Sequence, residues 1–222
     1  LDWDGKIVST LYLPYCNLRC PYCHNSGLVL NPEQYTTIPI EAVLNYFVRR
    51  KDWIDGVCLS GGEPCMHEDL PDFIRRLRNI DILIKLDTNG SFPVMLQRLL
   101  DERLVDCIAM DIKAPLDIYA QMTGINDEEI GERIKQSIEI IMNSGIDYEF
   151  RTTVVPTLHT REILVAMAGL IKGAKKYALQ AFVPNDPIDP EYCSITPYSD
   201  DQMQDMCQAV LPFVQRCVLR GV

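Results

Sequence analysis

Three cysteines, Cys16, Cys20 and Cys23, stand close together in the segment CNLRCPYCHN. Thiolates at this spacing can hold one metal centre and leave a coordination position open. Four chemistries use part or all of the set. Cys20-Pro21-Tyr22-Cys23 alone is a dithiol redox motif, and with His24 it matches covalent haem attachment. Cys16, Cys20, Cys23 and His24 could form a Cys₃His zinc site. The three thiolates could instead carry an iron–sulfur cluster with one iron free for substrate. The dithiol and haem readings leave Cys16 unexplained, and zinc would require His24 to fold back beside Cys23. The cubane uses all three thiols and gives the open position a purpose.

Other residues of chemical interest follow at intervals. Gly61, Gly62, Glu63 and Pro64 form a glycine-rich run. Asp87, Thr88 and Asn89 offer hard oxygen ligands, as does Asp111. An Asx turn explains Asp87 and Asn89 locally but not Asp111 after an apolar run. Strand alternation would put Asp111 and Lys113 on one face. Arg151 lies in the apolar run FRTTVVP and needs a counter-charge; Glu149, on the same face, is the nearest in sequence.

These residues need elements to position them. Apolar runs at KIVSTLYL, DGVCLSGGEP, DILIKLDTNG, LVDCIAMDIK, IDYEFRTTVV and KKYALQAF read as six strands. Helical spacing lies between them, with NDEEIGERIKQSIEIIMNSG the longest stretch and Gly145 its C-cap. SDDQMQDMCQAVLPFVQR reads as a terminal helix that Pro212 would kink. Strand then helix, repeated, predicts an α/β fold with a parallel sheet, as an open sheet or a partial barrel. The chemically suggestive residues fall after strand C-terminal ends, where such folds bind ligands.

Composition narrows the functional classes. Lysine and arginine total 21 against 31 acidic residues, and the short basic runs do not form a patch, which argues against a nucleic-acid partner. No stretch approaches the roughly twenty apolar residues of a membrane span, and LDWDGK does not resemble a signal peptide. Nine cysteines in a chain this long read as reduced thiols in a cytoplasmic, oxygen-poor setting rather than as disulfides.

With these motifs in hand, the sequence resembles the radical S-adenosylmethionine (SAM) superfamily. Cys16, Cys20, Tyr22 and Cys23 match its Cys-x₃-Cys-x-aromatic-Cys motif, and Gly61, Gly62, Glu63 and Pro64 match its Gly-Gly-Glu-Pro signature. The resemblance implies a partial (β/α)₆ barrel with the cluster loop after strand 1, in a single domain over 1–222 (core about 6–183, C-terminal extension about 184–222). It also implies a [4Fe–4S] cluster on Cys16, Cys20 and Cys23, with SAM on the open iron. Gly61 and Gly62 would admit the methionine backbone, with Glu63 as a direct ligand or an organiser of the loop. Tyr22 would cover adenine. Asp87, Thr88, Asn89, Arg151 and Gln180 would contact SAM. Asp87, Thr88 and Asp111 could hold a monovalent cation such as Na⁺ or K⁺. Lys113 would reach the SAM carboxylate or the substrate.

Within the superfamily, CPYCHN, DTNG, DIK and the VVP and LQAF runs most resemble the activating proteins of glycyl-radical enzymes, in particular of anaerobic ribonucleoside-triphosphate reductase. The implied partners are a large glycyl-radical enzyme as substrate and a flavodoxin- or ferredoxin-like electron donor. Val183 stands where the pyruvate formate-lyase activating branch carries a histidine, which favours the reductase branch. The alternatives are a radical SAM enzyme acting on another peptide or a small metabolite, and a Cys₃ metal-binding or thiol-redox protein without SAM chemistry. His67 reads as an adenine contact or a helix cap, and His159 as a solvated turn residue. Cys65, Cys193, Cys207 and Cys217 lack a ligand pattern for a second cluster.

Overall fold

The computed structural model describes residues 2–222; Leu1, the first residue of the expected domain, lies outside them. Seven parallel strands form one sheet in sequential order. They are β1 (Val8–Leu13), β2 (Gly56–Gly61), β3 (Leu83–Thr88), β4 (Cys107–Asp111), β5 (Asp147–Val154), β6 (Tyr177–Ala181) and β7 (Cys217–Arg220). β1 and β7 are the two edges, so the sheet, a partial barrel, does not close on itself. The α-helices are α1 (Ser26–Leu30), α2 (Ile40–Arg50), α3 (Leu70–Arg78), α4 (Pro93–Asp101), α5 (Tyr119–Met122), α6 (Ile130–Asn143), α7 (Arg161–Leu170) and α8 (Asp200–Val210).

Six strands fall where the apolar runs predict. The expected terminal helix is shorter than its pattern. α8 starts at a capping box between Ser199 and Gln202 and ends at Val210. Pro212 then sits in a 3₁₀ turn over Leu211–Phe213, because proline has no N–H to continue the ladder. The chain turns back as β7 and pairs with β6, a seventh strand that the sequence pattern did not suggest.

Strand alternation gives the sheet two unlike faces. One carries Ile84, Leu86, Ile108, Met110, Phe150, Val154 and Leu179, all buried in one core with Phe47, Ile74, Leu77, Leu96, Leu99, Ile134 and Leu164 of the helices. Each such side chain contributes roughly 1.5–3 kcal/mol on burial. The opposite, inner face is charged: Lys85 and Asp87 on β3, Asp111 on β4, Glu149 and Arg151 on β5, Arg220 on β7. Buried charges persist only when paired, and these are paired. Lys85 lies between Asp87 (3.4 Å) and Glu149 (3.5 Å). Glu149 accepts from both terminal nitrogens of Arg220 at 2.9 Å and from Lys176 at 2.5 Å. The network holds the Glu149 carboxyl down at about 2: burial alone would raise it, but Arg220, Lys85 and Lys176 outweigh burial. The helices thus enclose an apolar layer, and the concave face of the sheet is left polar for a site.

Candidate functional site

The loop after β1 carries the thiol triplet and is tightly fastened. Tyr15 holds a left-handed backbone (φ 63°) just before Cys16, a conformation that costs about 1–2 kcal/mol. Two backbone bonds pin it, Tyr15 N–H to the Leu28 carbonyl and Glu63 N–H to the Tyr15 carbonyl. Leu18 is buried, and Arg19 N–H donates to Thr123 in the turn after α5. From the C-terminal side, Asp189 N–H donates to the Pro21 carbonyl, so the acidic, proline-rich segment after β6 lies against the cysteine loop.

The end of β2 explains the two glycines. Gly61 has φ +114°, and a Cβ there would lie 2.4 Å from the Leu13 carbonyl oxygen. At Gly62 a Cβ would fall 1.7 Å from the Tyr15 carbonyl oxygen. The glycines are therefore required by the close approach of the β2 end to the cysteine loop. Space for a methionine was the expected reason, and the neighbouring backbone supplies a stronger one. Asn25 closes the same junction, its Nδ2 donating to the Gly61 carbonyl at 2.9 Å.

Glu63 is fully buried and organises the loop. Its Oε1 accepts from Cys65 N–H (2.9 Å) and Thr88 Oγ1 (2.7 Å), and its Oε2 from Asn89 N–H (2.6 Å). Of the two roles expected for it, the geometry matches the organising one. Burial raises its carboxyl pKa in spite of these three donors.

Arg151 spans two strands. Its Nε donates to Asp111 Oδ1 and its Nη1 to Asp87 Oδ2, each at 2.9 Å. Glu149, the structural alternative to the SAM carboxylate that sequence proximity offered, is not bonded to it; Asp87 and Asp111 are. The cation expectation changes too: Asp87 and Asp111 share the guanidinium, and the Thr88 hydroxyl is committed to Glu63. Burial alone would raise the Asp111 carboxyl, but Arg151 and Lys113 hold it well below the carboxylate range. Lys113 Nζ lies 3.2 Å from Asp111 Oδ2. Burial would lower the Lys113 pKa, and Asp111 more than reverses that.

His159 is another correction. It is buried, not solvated. Its Nδ1 accepts from Val155 N–H at 3.0 Å, so Nε2 carries the proton and donates to the Lys113 carbonyl at 3.0 Å. Its ring meets Tyr22 edge-on, with centroids 6.2 Å apart. His67 does not cap α3: its Nε2 lies 2.9 Å from the Pro14 carbonyl oxygen, bracing the entry to the cysteine loop.

These elements surround a cavity of about 380 Å³, within the range of small-molecule sites. Cys16, Cys20, Tyr22, Cys23, Gly61, Gly62, Asp87, Thr88, Asn89, Asp111, Lys113, Arg151 and Gln180 all line it. Glu63 alone of the expected residues stands behind the wall. Val183, Asn25 and His24 also line it. Asn17 and Ser91 went unnoticed in the sequence and prove to be hydrogen-bonded to Asn89.

The donor set fits a cubane and a polar ligand. Among the described residues no three His, Cys, Asp or Glu side chains converge on a point for a single metal ion. A cubane asks for something different, because each thiolate binds its own iron and the ligands stand farther apart. Burial pushes the Cys20 thiol up to about 12 and raises Cys16 as well, so an electropositive centre is needed to hold these sulfurs as thiolates. Asp87 Oδ1 is buried in the wall without a hydrogen bond and faces the Lys85 ammonium at 3.4 Å.

The profile of the Radical SAM superfamily matches residues 10–168 of this chain. A protein of Methanocaldococcus jannaschii, named as a candidate glycyl-radical enzyme activating enzyme, is 27% identical over 227 residues, covering 100% of this chain and 92% of its own. A candidate GTP 3′,8-cyclase of Methanococcus aeolicus is 32% identical over 148 residues, covering 62% of this chain. The match takes in 48% of the cyclase, about half its length. SuiB of Streptococcus suis, solved with S-adenosylmethionine bound, superposes with a TM-score of 0.72 at 14% identity, over 97% of this chain and 51% of that one. At that identity the likeness is one of fold.

Proposed function

The chain belongs to the radical SAM superfamily, whose chemistry is SAM cleavage with radical generation, and we propose that it is an activating enzyme for a glycyl-radical enzyme. The substrate is a glycine in a large partner protein, an anaerobic ribonucleotide reductase in the reading the sequence favours. The observation that carries this choice is the end-to-end likeness to the M. jannaschii relative, against a likeness to the cyclase that takes in only part of each chain.

In this proposal Cys16, Cys20 and Cys23 hold a [4Fe–4S] cluster. When bound, the cluster and SAM would together supply a 5′-deoxyadenosyl radical for abstraction of the glycine Cα hydrogen. The chain's own residues bind, orient and shield. Lys113 stays protonated beside Asp111 and presents an ammonium to the SAM carboxylate or the partner's glycine segment. Arg151 compensates Asp87 and Asp111, the task expected of a monovalent cation, and Lys85 holds the second Asp87 oxygen from behind. Gln180 adds a polar contact, while Thr88 and Asn89, engaged by Glu63 and the cysteine loop, shape the wall. Tyr22, braced by His159, covers the adenine and keeps water from the sulfurs. The gap between edge strands β1 and β7 admits the partner's loop. Electrons come from a flavodoxin- or ferredoxin-like protein in an anaerobic cytoplasm.

Anaerobic reconstitution tests this reading. The expected product holds about four irons per chain. Reduced with dithionite and given SAM, it releases 5′-deoxyadenosine and methionine. Addition of an anaerobic ribonucleotide reductase then yields a glycyl doublet by electron spin resonance. SAM cleavage with no radical on any glycyl-radical candidate defeats the activase reading and leaves the superfamily chemistry standing. Stoichiometric zinc without iron overturns the cluster.

A further inference from the structure

We propose that Asn89, held by Asn17 and Ser91, is a positioning residue that donates a hydrogen bond to the Cys16 sulfur and raises the reduction potential of the cluster. The proposal rests on the reading of Cys16 as a cluster ligand.

The direction of the Asn89 amide follows from its neighbours. Ser91 N–H, which can only donate, points at Asn89 Oδ1 at 2.9 Å, and Ser91 Oγ lies 2.5 Å from the same atom. The atom facing Ser91 is therefore the oxygen. Nδ2 is turned to the other side, 3.0 Å from Asn17 Oδ1 and 3.6 Å from Cys16 Sγ. Asn17 is fixed in turn, its Nδ2 donating to Ser91 Oγ at 2.9 Å. An Asx turn accounts for the Oδ1 contact. It does not account for Nδ2, whose two partners both lie in the cysteine loop.

Cys16 receives a second donor, Leu18 N–H at 3.4 Å. Of the three cysteines of the triplet, Cys16 is the one whose sulfur accepts hydrogen bonds among the described residues. One thiolate of the three is thus singled out. Cluster reduction takes up one electron from a low-potential one-electron donor and moves no proton, and part of the added charge falls on the thiolate sulfurs. A fixed N–H dipole stabilises that more negative state more than the oxidised one, so it raises the potential. Burial of Asn89 strengthens the effect. The backbone N–H of Asn89 is held by Glu63, so the GGEP edge sets the position of this donor.

The test is a redox titration followed by electron spin resonance on reconstituted protein without SAM, which removes any effect on SAM binding. Asn89→Ala keeps the backbone N–H to Glu63 and loses only the side chain. It is expected to shift the reduction equilibrium about tenfold towards the oxidised form, about 59 mV lower for a one-electron couple. Asn17→Ala, which frees Nδ2 without removing it, is expected to shift the potential in the same direction by less. Native potential in both variants at full iron content overturns the proposal. Iron loss from both also overturns it, since Asn89 would then be structural support for the cysteine loop. Failure of the native protein to take up any cluster overturns the cluster reading itself.

Discussion

Arg151 and Asp111 face each other in register on neighbouring strands, and the guanidinium that bonds Asp111 at 2.9 Å also bonds Asp87 at 2.9 Å. One cation thus holds two carboxylates at the C-terminal ends of β3 and β4. Without it, two like charges would face each other in a poorly solvated wall.

Replacing Arg151 with methionine leaves both carboxylates short of their main counter-charge. Breaking a buried pair from one side costs about 3–5 kcal/mol, and that loss is expected in urea unfolding at neutral pH. Arg151→Lys should recover only part of it, because an ammonium lacks the fork that reaches two strands. Native stability in Arg151→Met would refute the bridging role.

Gly62→Ala sets a Cβ against the Tyr15 carbonyl, which is backbone and cannot swing aside. The cysteine loop must shift, and Tyr15 would lose its bond from Glu63 N–H. The variant is expected to keep its helical circular dichroism, unfold at lower temperature and retain much less iron on reconstitution. Iron content equal to that of the native protein would show that the loop does not depend on this approach.

His159 makes a pH prediction. Burial, with the Lys113 charge, lowers its pKa from 6.5 to about 4, against its two hydrogen bonds. The unfolded chain therefore binds this proton more readily than the native one. The contribution is fully present above pH 6.5 and is lost as pH falls towards 4, by an amount on the order of 3 kcal/mol. Urea midpoints measured at pH 7 and pH 4.5 should fall further for the native protein than for His159→Gln. Equal slopes would contradict a buried neutral imidazole.

The contrast between Gly62 and His159 shows which parts of the site were legible in the sequence. The thiol triplet and GGEP are local spacings that declare themselves in a few residues. The bridge from Arg151 joins residues 64 and 40 positions apart, and only strand register brings them together. Glu149 was nearer in sequence, but Lys85, Lys176 and Arg220 claim it. His159 follows a proline in a turn, which suggests solvent; its burial comes from Tyr22 and Lys113, which are remote in sequence. β7 has four residues and follows a proline, too little periodicity to announce a strand.

Lys113 separates binding from stability. Its Nζ has three donors, and in the structure one carboxylate, Asp111 Oδ2, lies near it at 3.2 Å. Asp111 keeps Arg151 when Lys113 is replaced, so Lys113→Met leaves no carboxylate of the bridge without a cation. Its unfolding midpoint is expected to stay near the native value, in contrast with Arg151→Met. SAM affinity should fall about tenfold or more, because a charge-assisted bond to a carboxylate contributes roughly 1.5–3 kcal/mol. Titration calorimetry of the reconstituted protein with SAM reads the loss directly. Unchanged affinity with impaired hydrogen abstraction would move Lys113 from the SAM carboxylate to the partner's glycine segment. A drop in stability as large as that of Arg151→Met would make it part of the wall instead.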